Sequence, residues 1–279
     1  MNSEVRVRSY EEIKASIQQF NASEPNFELL EEIRTFNHKM IDEFNTIIPL
    51  AGTTILDIGA SPHGYALERA LELGVATYFG IGLDVSTPQC VLGKSGETGV
   101  LLRMDATSLA LPEETFDYII CMSTFEHINN PALAMDEIAR VLKPGGKALI
   151  SFEPIWTASY GHHLHHLGEE CASLIPAWAH LTLQPDEMRD QLVGLWPVNA
   201  PMGLDEAVKW IYEEKVINRW GIDRYEAMFR DSSMEVDWVM KLQSNDSLAE
   251  AEAVSVQTGI SAEQLIVKGL SVLLTRNEG

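Results

Sequence analysis

The stretch that decides the fold lies at residues 53–64 and reads TTILDIGASPHG. Its first part, TTILDIG (53–59), is a short and nearly continuous apolar run that ends in glycine, which is typical of a buried strand in a parallel sheet. A helical pattern, YALERALELG (65–74), follows and closes at another glycine. The stretch therefore predicts a strand, a glycine-containing turn and a helix, in that order.

Apolar runs alternate with helical patterns along much of the chain. Seven strands are predicted, at residues 53–59, 76–84, 99–105, 116–122, 147–153, 235–243 and 265–276. Helices are predicted among them at residues 65–74, 130–146 and 247–259. Strands that alternate with helices form parallel sheets. The predicted fold class is α/β, with a doubly wound, mostly parallel sheet of seven strands.

Two segments fall outside this alternation. Residues 9–21 and 24–48 predict two helices, so residues 1–50 are interpreted as a helical cap in front of the core. Residues 155–234 hold five of the six tryptophans and several amphipathic stretches. We interpret them as a helical insertion between strands five and six that binds and covers the substrate. The predicted core is then formed by residues 51–154 and 235–279.

Composition narrows the choice of partners. The 279 residues carry 41 acidic and 20 basic side chains, for a formal net charge of −21. Proteins that bind nucleic acids or anionic membranes present basic surfaces, so we expect neither partner and favour a small-molecule substrate. A homo-oligomer stays open.

The chain also lacks the signals of export. No apolar stretch reaches the roughly 18 residues that a membrane helix needs, and the N-terminal sequence has no apolar signal core. The three cysteines, Cys90, Cys121 and Cys171, form no C-x-x-C pair, and their odd number argues against a disulfide framework. We therefore expect a cytoplasmic protein.

Three acidic side chains lie at or near the ends of three successive predicted strands. Gly59 and Gly64 allow a ligand to approach the backbone closely, and the helix after them presents free N–H groups to a carboxylate or phosphate. Asp84 can bind both hydroxyls of a ribose, and Asp105 can accept a hydrogen bond from an amine such as adenine N6. Together with Asp57 they would repel a pyrophosphate. The pattern favours an adenosine that carries an amino-acid tail.

These stretches resemble one known family. The matching residues are LDIGASPHG (56–64), Asp84, MDATSLALPEETFDYIICMSTFEHI (104–128) and RVLKPGGKALIS (140–151). They are similar to the class I S-adenosylmethionine-dependent methyltransferases of the UbiE-like small-molecule group, also called methyltransferase type 11. The resemblance implies a Rossmann-like fold, S-adenosylmethionine (SAM) as cofactor and methyl transfer to a small molecule.

The resemblance also implies roles for individual residues. The glycine turn would hold the methionine part of the cofactor, Asp84 the ribose, and Asp105 with Ala106 the adenine. The turn departs from the common D-x-G-C-G-x-G pattern by one extra residue, and His63 replaces a glycine of a related variant. The implied cofactor-binding residues are Asp57, Gly59, Ala60, Ser61, Gly64, Asp84, Val85, Asp105, Ala106, Ser123 and Glu126.

Candidate catalytic residues follow the fourth and fifth predicted strands. Histidine titrates near neutral pH, so a histidine of the stretch GHHLHH (161–166) could take a proton from a hydroxyl or amine. A metal site with His162 and His166 one helical turn apart, or packing and solvent exposure, are the alternatives; no metal is predicted. The candidate catalytic residues are His162, His163, His166, Glu153 and His127.

Aromatic residues of the insertion are the candidates for substrate binding. Trp156, Tyr160, Trp178 and Trp210 could stack on a flat or apolar substrate, or they could form the core of the insertion. O-methylation of a natural product or sugar-type molecule in secondary metabolism is our first hypothesis, because histidines supply a base for a hydroxyl. N- or C-methylation and a non-catalytic SAM-binding regulator are the alternatives. A nicotinamide-dependent dehydrogenase is disfavoured, because G-x-G-x-x-G and Y-x-x-x-K are both missing.

Overall fold

A mixed sheet runs through the centre of the computed structural model, which describes residues 6–24 and 27–278 without the side chains of Phe27, His166 and Glu169. Within these ranges the sheet has nine strands, in the order β1-β4-β5-β3-β2-β6-β7-β9-β8. The strands are β1 (Arg6–Ser9), β2 (Thr54–Ile58), β3 (Thr77–Gly82), β4 (Gln89–Leu92), β5 (Thr98–Arg103), β6 (Phe116–Met122), β7 (Leu142–Phe152), β8 (Met234–Gln243) and β9 (Val267–Arg276).

Helices cover both faces of this sheet. They are α1 (Tyr10–Ser23), α2 (Phe27–Ile47), α3 (Tyr65–Glu72), α4 (Pro131–Val141), α5 (Glu169–Ala172), α6 (Ala179–Thr182), α7 (Pro185–Leu192), α8 (Leu204–Tyr212), α9 (Ile222–Asp231), α10 (Leu248–Thr258) and α11 (Ala262–Leu265).

Five neighbouring strands, β5, β3, β2, β6 and β7, are parallel. Their carboxyl ends therefore meet at one edge of the sheet, where ligands of open α/β sheets bind. Within the described sheet, the antiparallel pairs lie at the two sides of this group. β4 pairs with β5 at one side, and β9 pairs with β7 and with β8 at the other. The predicted α/β class and mostly parallel sheet are confirmed.

The predicted number of seven strands is wrong for the sheet as a whole. All seven are present, but β1 and β4 extend one edge by two further strands, which pair in parallel with each other. Each is only four residues long, RVRS and QCVL, and four residues are too few to show a strand pattern above chance.

The α4–β7 junction also differs from the prediction. Asn130 caps α4 by accepting a hydrogen bond from the Leu133 N–H at 3.4 Å, and Pro131 occupies the first turn. The helix was predicted to reach residue 146, yet it ends at Val141, because Leu142 already pairs with Phe116 of β6 at the start of β7. Pro144, Gly145 and Gly146, at the end of the predicted helix, lie inside this strand instead.

Two apolar cores separate the faces of the sheet. Residues of α1, α2 and α3, among them Ile13, Phe44 and Leu67, pack on one face. Residues of α4 and α9, such as Ile138 and Phe229, pack on the other. No helix within the described ranges is long and apolar enough to cross a membrane.

A buried ion pair fixes α2 on α3. The side chain of Glu68 is fully buried and accepts from Arg34 Nε at 2.9 Å and from Arg34 Nη2 at 2.7 Å. Burial alone would raise the pKa of Glu68, but hydrogen bonds from His38 and Arg34 outweigh it, and the pKa lies below its usual value. A two-point guanidinium–carboxylate contact sets orientation as well as distance, so α2 is held in one position beside the sheet edge.

The segment between β7 and β8 contains α5 to α9. Its first part has a small core of its own, which includes Leu164, Ile175, Met188 and Ile211. Its last part, by contrast, packs into the main core through residues such as Tyr225. The segment is therefore continuous with the core at its carboxyl end.

Candidate active site

Two cavities lie at the carboxyl edge of the parallel strands. The first, of about 190 Å³, is lined by Ile58, Gly59, Ile81, Gly82, Leu83, Met104, Asp105, Ala106, Thr107, Thr124, His127, Ile128, Asn129 and Asn130. The second, of about 230 Å³, lies under α2 and is lined by Ile33, Phe36, Asn37, Met40, Ile41, Asp57, Gly59, Ser61, Ala66, Ile120, Met122, Ser123 and Thr124. Gly59 and Thr124 belong to both linings, so the two cavities adjoin at these residues.

The glycine turn forms the boundary between the cavities. Gly59 has a φ of 91°, and a Cβ atom there would lie 2.0 Å from Thr124 Oγ1. The backbone N–H groups of Gly59 and Ala60 both donate to Ile81 O, at 2.8 and 2.9 Å. The turn is thus tied to the end of β3, and only glycine fits where it meets Thr124.

The helix after the turn begins without a side-chain cap. Gly64, with a φ of 79°, is the residue before the first turn of α3, and no side chain accepts from its N–H groups. Uncapped N–H groups and the helix dipole favour a negatively charged ligand group. Ser61 and Ala66, on either side of this point, line the second cavity.

Asp84 and Asp105 each stand two residues beyond the strand that was predicted to contain them. Asp105 lines the first cavity, and its Oδ1 accepts from the N–H and the hydroxyl of Thr107, both at 2.8 Å. Asp84 is exposed beside Leu83, which lines the same cavity, and Val85 is buried. Both carboxylates lie at the correct edge of the sheet.

Asp57 is buried at the floor of the second cavity, and the hydroxyl of Tyr78 donates to its Oδ2. Burial raises the pKa of Asp57 to about 6, although the hydrogen bond from Tyr78 opposes this. Sequence reasoning missed Tyr78. The signal was Gly80: a Cβ atom there would lie 2.9 Å from Tyr78 Cε1, so a glycine leaves room for the tyrosine ring.

The turn after β6 carries strained backbone. Ser123 has a φ of 46°, in the left-handed region, and its N–H donates to Ser151 O at 2.8 Å. Non-glycine residues held in this region concentrate at functional sites. Ser123 lines the second cavity, and the next residue, Thr124, separates it from the first.

Glu126 and His127 follow in the same turn and differ in exposure. Glu126 is buried, its Oε2 has no hydrogen-bond partner among the described residues, and it belongs to neither lining. Burial, more than the nearby charge of Glu153, raises its pKa to about 8. His127 lines the first cavity, with Nδ1 2.9 Å from Val216 O.

Asn218, from the segment between β7 and β8, holds this turn in place. Its backbone N–H donates to Glu126 O at 2.9 Å. Its Nδ2 donates to Phe125 O at 3.0 Å and to Ile128 O at 3.1 Å. Its Oδ1 accepts from the Tyr225 hydroxyl at 2.7 Å. The wall of the first cavity is therefore supported from outside the parallel sheet.

The predicted histidines lie inside the segment between β7 and β8. His162 is fully buried, with Leu164 N–H donating to its Nδ1 at 3.1 Å. His163 is buried with Nε2 2.6 Å from Pro154 O. Burial lowers the pKa of both imidazoles to about 3. The side chain of His166 lies outside the described residues. In the ranges that the structure describes, no three His, Cys, Asp or Glu side chains are placed to hold a metal ion.

The other predicted residues also lie apart from the two linings. Glu153 forms an ion pair with Lys268, at 2.9 Å. Trp178 is buried against α10 and α11, whereas Tyr160 is 45% exposed. Trp156 and Trp210 pack, partly buried, on the small core of the segment. Of the residues predicted for the cofactor, six line the two cavities, namely Asp57, Gly59, Ser61, Asp105, Ala106 and Ser123. Ala60, Gly64, Asp84, Val85 and Glu126 belong to neither lining.

Comparison with known proteins agrees with this geometry. Residues 56–150 match the model of a methyltransferase domain. An uncharacterized methyltransferase of Mycolicibacterium vanbaalenii is 31% identical over 123 residues, 42% of this chain and 47% of that protein; the match spans about half the length of this relative. A ubiquinone biosynthesis O-methyltransferase of Xanthomonas oryzae is 26% identical over 185 residues, 65% of this chain and 75% of the relative.

A solved structure shares the fold. The S-adenosylmethionine-dependent methyltransferase of Mesorhizobium loti superimposes with a TM-score of 0.50 and 17% identity, over 84% of this chain and 96% of that one. The glycine turn and the strand-end acids all lie within the matched residues 56–150. Residues 56–150 of the chain thus match a methyltransferase domain, and the chain shares its fold with an S-adenosylmethionine-dependent methyltransferase.

Proposed function

We propose that the chain transfers a methyl group from SAM to a hydroxyl group of a small molecule that binds under α2. The observation that carries this proposal is the pair of adjoining cavities at the glycine turn. One cavity has the side chains that suit an adenosine. The second cavity has polar groups of the turn on one side and apolar side chains of α2 on the other.

The first cavity fits the adenosine part of the cofactor. Ile58, Ile81 and Met104 give it apolar walls, against which a flat base can pack. Thr107 occupies only Oδ1 of Asp105, which leaves Oδ2 to accept from an adenine amine. The exposed carboxylate of Asp84 is adjacent for the ribose hydroxyls.

The second cavity fits the methionine part and the substrate. Asp57 offers a carboxyl group, and the uncapped start of α3 offers N–H groups to a carboxylate. When bound, SAM supplies an electrophilic methyl group. Its positive charge would also favour the ionised form of Asp57, whose pKa burial now raises to about 6.

Two large apolar side chains of α2 support a partly apolar substrate. Ile33 and Phe36 line the second cavity and are 39% and 48% exposed. Asn37 also lines this cavity; its Nδ2 donates to Ile33 O at 2.8 Å, and its Oδ1 offers an acceptor for a hydroxyl group. We therefore propose α2 as the main substrate wall, and the aromatic residues predicted for this role remain secondary candidates.

Among the predicted bases, we favour His127. It lines the first cavity, which adjoins the substrate cavity at Gly59 and Thr124, so the proposal requires the acceptor hydroxyl to lie at this junction. Burial holds the pKa of His162 and His163 at about 3, which makes them weak bases at neutral pH. The oxygen–carbon bond forms as the bond from sulfur to the methyl carbon breaks, and the hydroxyl proton passes to His127 Nε2. The named O-methyltransferase relative supports an oxygen acceptor. N- or C-methylation and SAM binding without catalysis are the alternatives.

Titration calorimetry with S-adenosylhomocysteine (SAH) tests the cofactor part. We expect Asp84→Ala to weaken binding about 10- to 100-fold, because a charge-assisted hydrogen bond contributes about 1.5–3 kcal/mol. Asp190→Ala, which removes an exposed acid of α7, is the matched control and should change affinity less than twofold. Absence of SAH binding to the wild type would refute the proposal.

The catalytic part needs a substrate screen. Hydroxylated, partly apolar small molecules are incubated with the chain and SAM, and mass spectrometry detects a gain of one methyl group. We expect His127→Asn to lower kcat about 100-fold or more, since general bases contribute at least this much, while the SAH affinity stays within threefold. Equal turnover by this variant would exclude His127 as the base.

A further inference from the structure

A third cavity lies behind the glycine turn and belongs to neither lining of the active site. It measures about 200 Å³, and four of its seven lining residues are polar. Pro62 and His63 of the glycine turn belong to its lining, whereas Gly59 and Ser61 of the same turn line the other two cavities. The lining residues are Arg8, Ser16, Ile17, Phe20, Pro62, His63 and Gln89.

Arg8 brings a positive charge to this cavity, and no carboxylate of the described residues forms a salt bridge with it, although the charge of Glu12 acts on it. Its Nη1 donates to Ser16 Oγ at 3.2 Å, while its Nε is buried without a hydrogen-bond partner in the ranges described. The neighbouring acid, Glu12, caps α1: its Oε2 accepts from the N–H and hydroxyl of Ser9, at 2.6 and 2.8 Å. Burial, followed by the charge of Arg6, lowers the pKa of Arg8.

The opposite wall is rigid and polar. The ring of His63 is stacked between Phe20 and Tyr65, with centroid distances of 4.4 and 5.4 Å. Gln89 Nε2 donates to Pro62 O at 3.3 Å, which joins β4 to the turn. The extra length and the histidine that distinguish this turn from the family pattern are thus located at this cavity.

We propose that this cavity binds a phosphate-sized oxyanion, either free inorganic phosphate or the phosphoryl group of a small metabolite. The guanidinium fork of Arg8 matches the geometry of such a group, and the Ser16 hydroxyl adds a further donor. In a chain of net charge −21, an anion is attracted only where positive charge is concentrated locally. Arg8 and the neighbouring Arg6 supply that charge here, against the carboxylates of Glu12 and Glu24, which act on Arg8 and His63.

The position of the site gives it a consequence for the cofactor. Because His63 and Pro62 belong to the turn that separates the two spaces, an oxyanion that fixes them alters the free energy of the turn that SAM contacts. Coupling of this kind is reciprocal. Phosphate is therefore expected to change the SAH affinity, and SAH the phosphate affinity, by the same factor.

Titration calorimetry of the full chain with inorganic phosphate, in a phosphate-free buffer, tests the site. We expect Arg8→Gln to weaken phosphate binding tenfold or more, and Ser16→Ala, a milder change, to weaken it about threefold. Arg230→Gln removes a charge from an exposed pair with Asp231 and is the control, with a change below twofold. Glycerol 3-phosphate distinguishes the two sources: tighter binding than phosphate points to a metabolite.

The outcomes separate this inference from the proposed function. Phosphate that fails to bind the wild type, or that binds Arg8→Gln and wild type equally, overturns the oxyanion site. Loss of SAH binding by Arg8→Gln in the phosphate-free buffer also overturns it, because coupling through bound phosphate is absent there and Arg8 would then belong to the cofactor site. If the wild type binds phosphate but not SAH, the oxyanion site is supported and the methyltransferase proposal fails.

Discussion

The carboxyl edge of the parallel strands, called the cofactor edge below, buries acidic side chains such as Asp57 and Glu126. The segment between β7 and β8 buries histidines instead. The cofactor edge buries acids, and burial raises the pKa of Asp57 to about 6 and that of Glu126 to about 8. The segment buries histidines, and burial lowers the pKa of His162 and His163 to about 3 and that of His180 to about 4. In both regions burial favours the neutral form.

The difference gives the two regions opposite responses to pH. A buried acid with a raised pKa favours the folded state at low pH, and this advantage is lost as pH rises through the folded pKa. A buried histidine with a lowered pKa favours the folded state above its unfolded value, and this advantage is lost as pH falls through the folded pKa. The contribution of the segment between β7 and β8 to the free energy of unfolding should therefore fall in acid. The contribution of the turn that contains Glu126 should fall in base.

The largest expected effect comes from paired glycine substitutions, one in each region. Gly59 and Gly168 have the same φ of 91°, but a Cβ atom at Gly168 has nothing within 4 Å. Gly168→Ala should cost about 1–2 kcal/mol of unfolding free energy, the price of positive φ for an L-residue. Gly59→Ala must also displace Thr124, so we expect a loss of about 3 kcal/mol or more and a loss of SAH binding. Urea unfolding measures the loss of unfolding free energy, and titration calorimetry measures the loss of SAH binding. If Gly59→Ala and Gly168→Ala lower both quantities equally, Gly59 does not form the boundary between the two cavities.

A smaller effect is expected from the buried histidines. Between pH 7 and pH 4.5 the unfolding free energy should fall, because the unfolded chain binds protons that the buried imidazoles do not. His162→Asn keeps an acceptor for the Leu164 N–H but cannot titrate, and should reduce this fall by about 2 kcal/mol. His165→Asn, at an exposed position of the same stretch, is the control. Urea unfolding at a series of pH values gives the unfolding free energy of the wild type and the two variants. If this free energy changes with pH in the same way in all three proteins, His162 does not cause the loss of stability in acid.

The smallest effect concerns Glu126. Glu126→Gln removes the cost of ionising a buried carboxyl group, so the variant should gain about 1 kcal/mol relative to wild type on going from pH 5 to pH 6. Glu113→Gln, at an exposed site, should show no such gain. If the unfolding free energy of Glu126→Gln equals that of the wild type at every pH, the buried acid does not destabilise this region as pH rises.

The parts of the fold predicted from sequence are those with long local patterns. The strand from Phe116 to Met122 is almost wholly apolar, and the turn at Gly59 is marked by its glycines and strand-end acids. In contrast, β1 gains its strand form from pairing with β4, and β4 from pairing with β1 and β5, whereas the four residues of each show no pattern of their own. A sequence has no local sign of such partners.

The missed and uncertain site residues have a related explanation. Tyr78 reaches Asp57 only because β2 and β3 pair in register and Gly80 leaves space. His162 and His165 look alike in sequence, yet one is fully buried and the other exposed. Burial depends on tertiary packing rather than on local spacing, so sequence could mark the histidine stretch but not rank its members.

The hydrogen bonds of Asn218 have a consequence for protein engineering. Exchange of the segment between β7 and β8 is an obvious way to give a relative a new specificity, since the parallel sheet would be left intact. Here the exchange would also remove the donors to Phe125 O and Ile128 O, and with them the outer support of the first cavity. A chimaera therefore needs an asparagine at the position that matches Asn218. Without it, the wall of the first cavity loses two hydrogen bonds, and the affinity for a molecule bound there should fall.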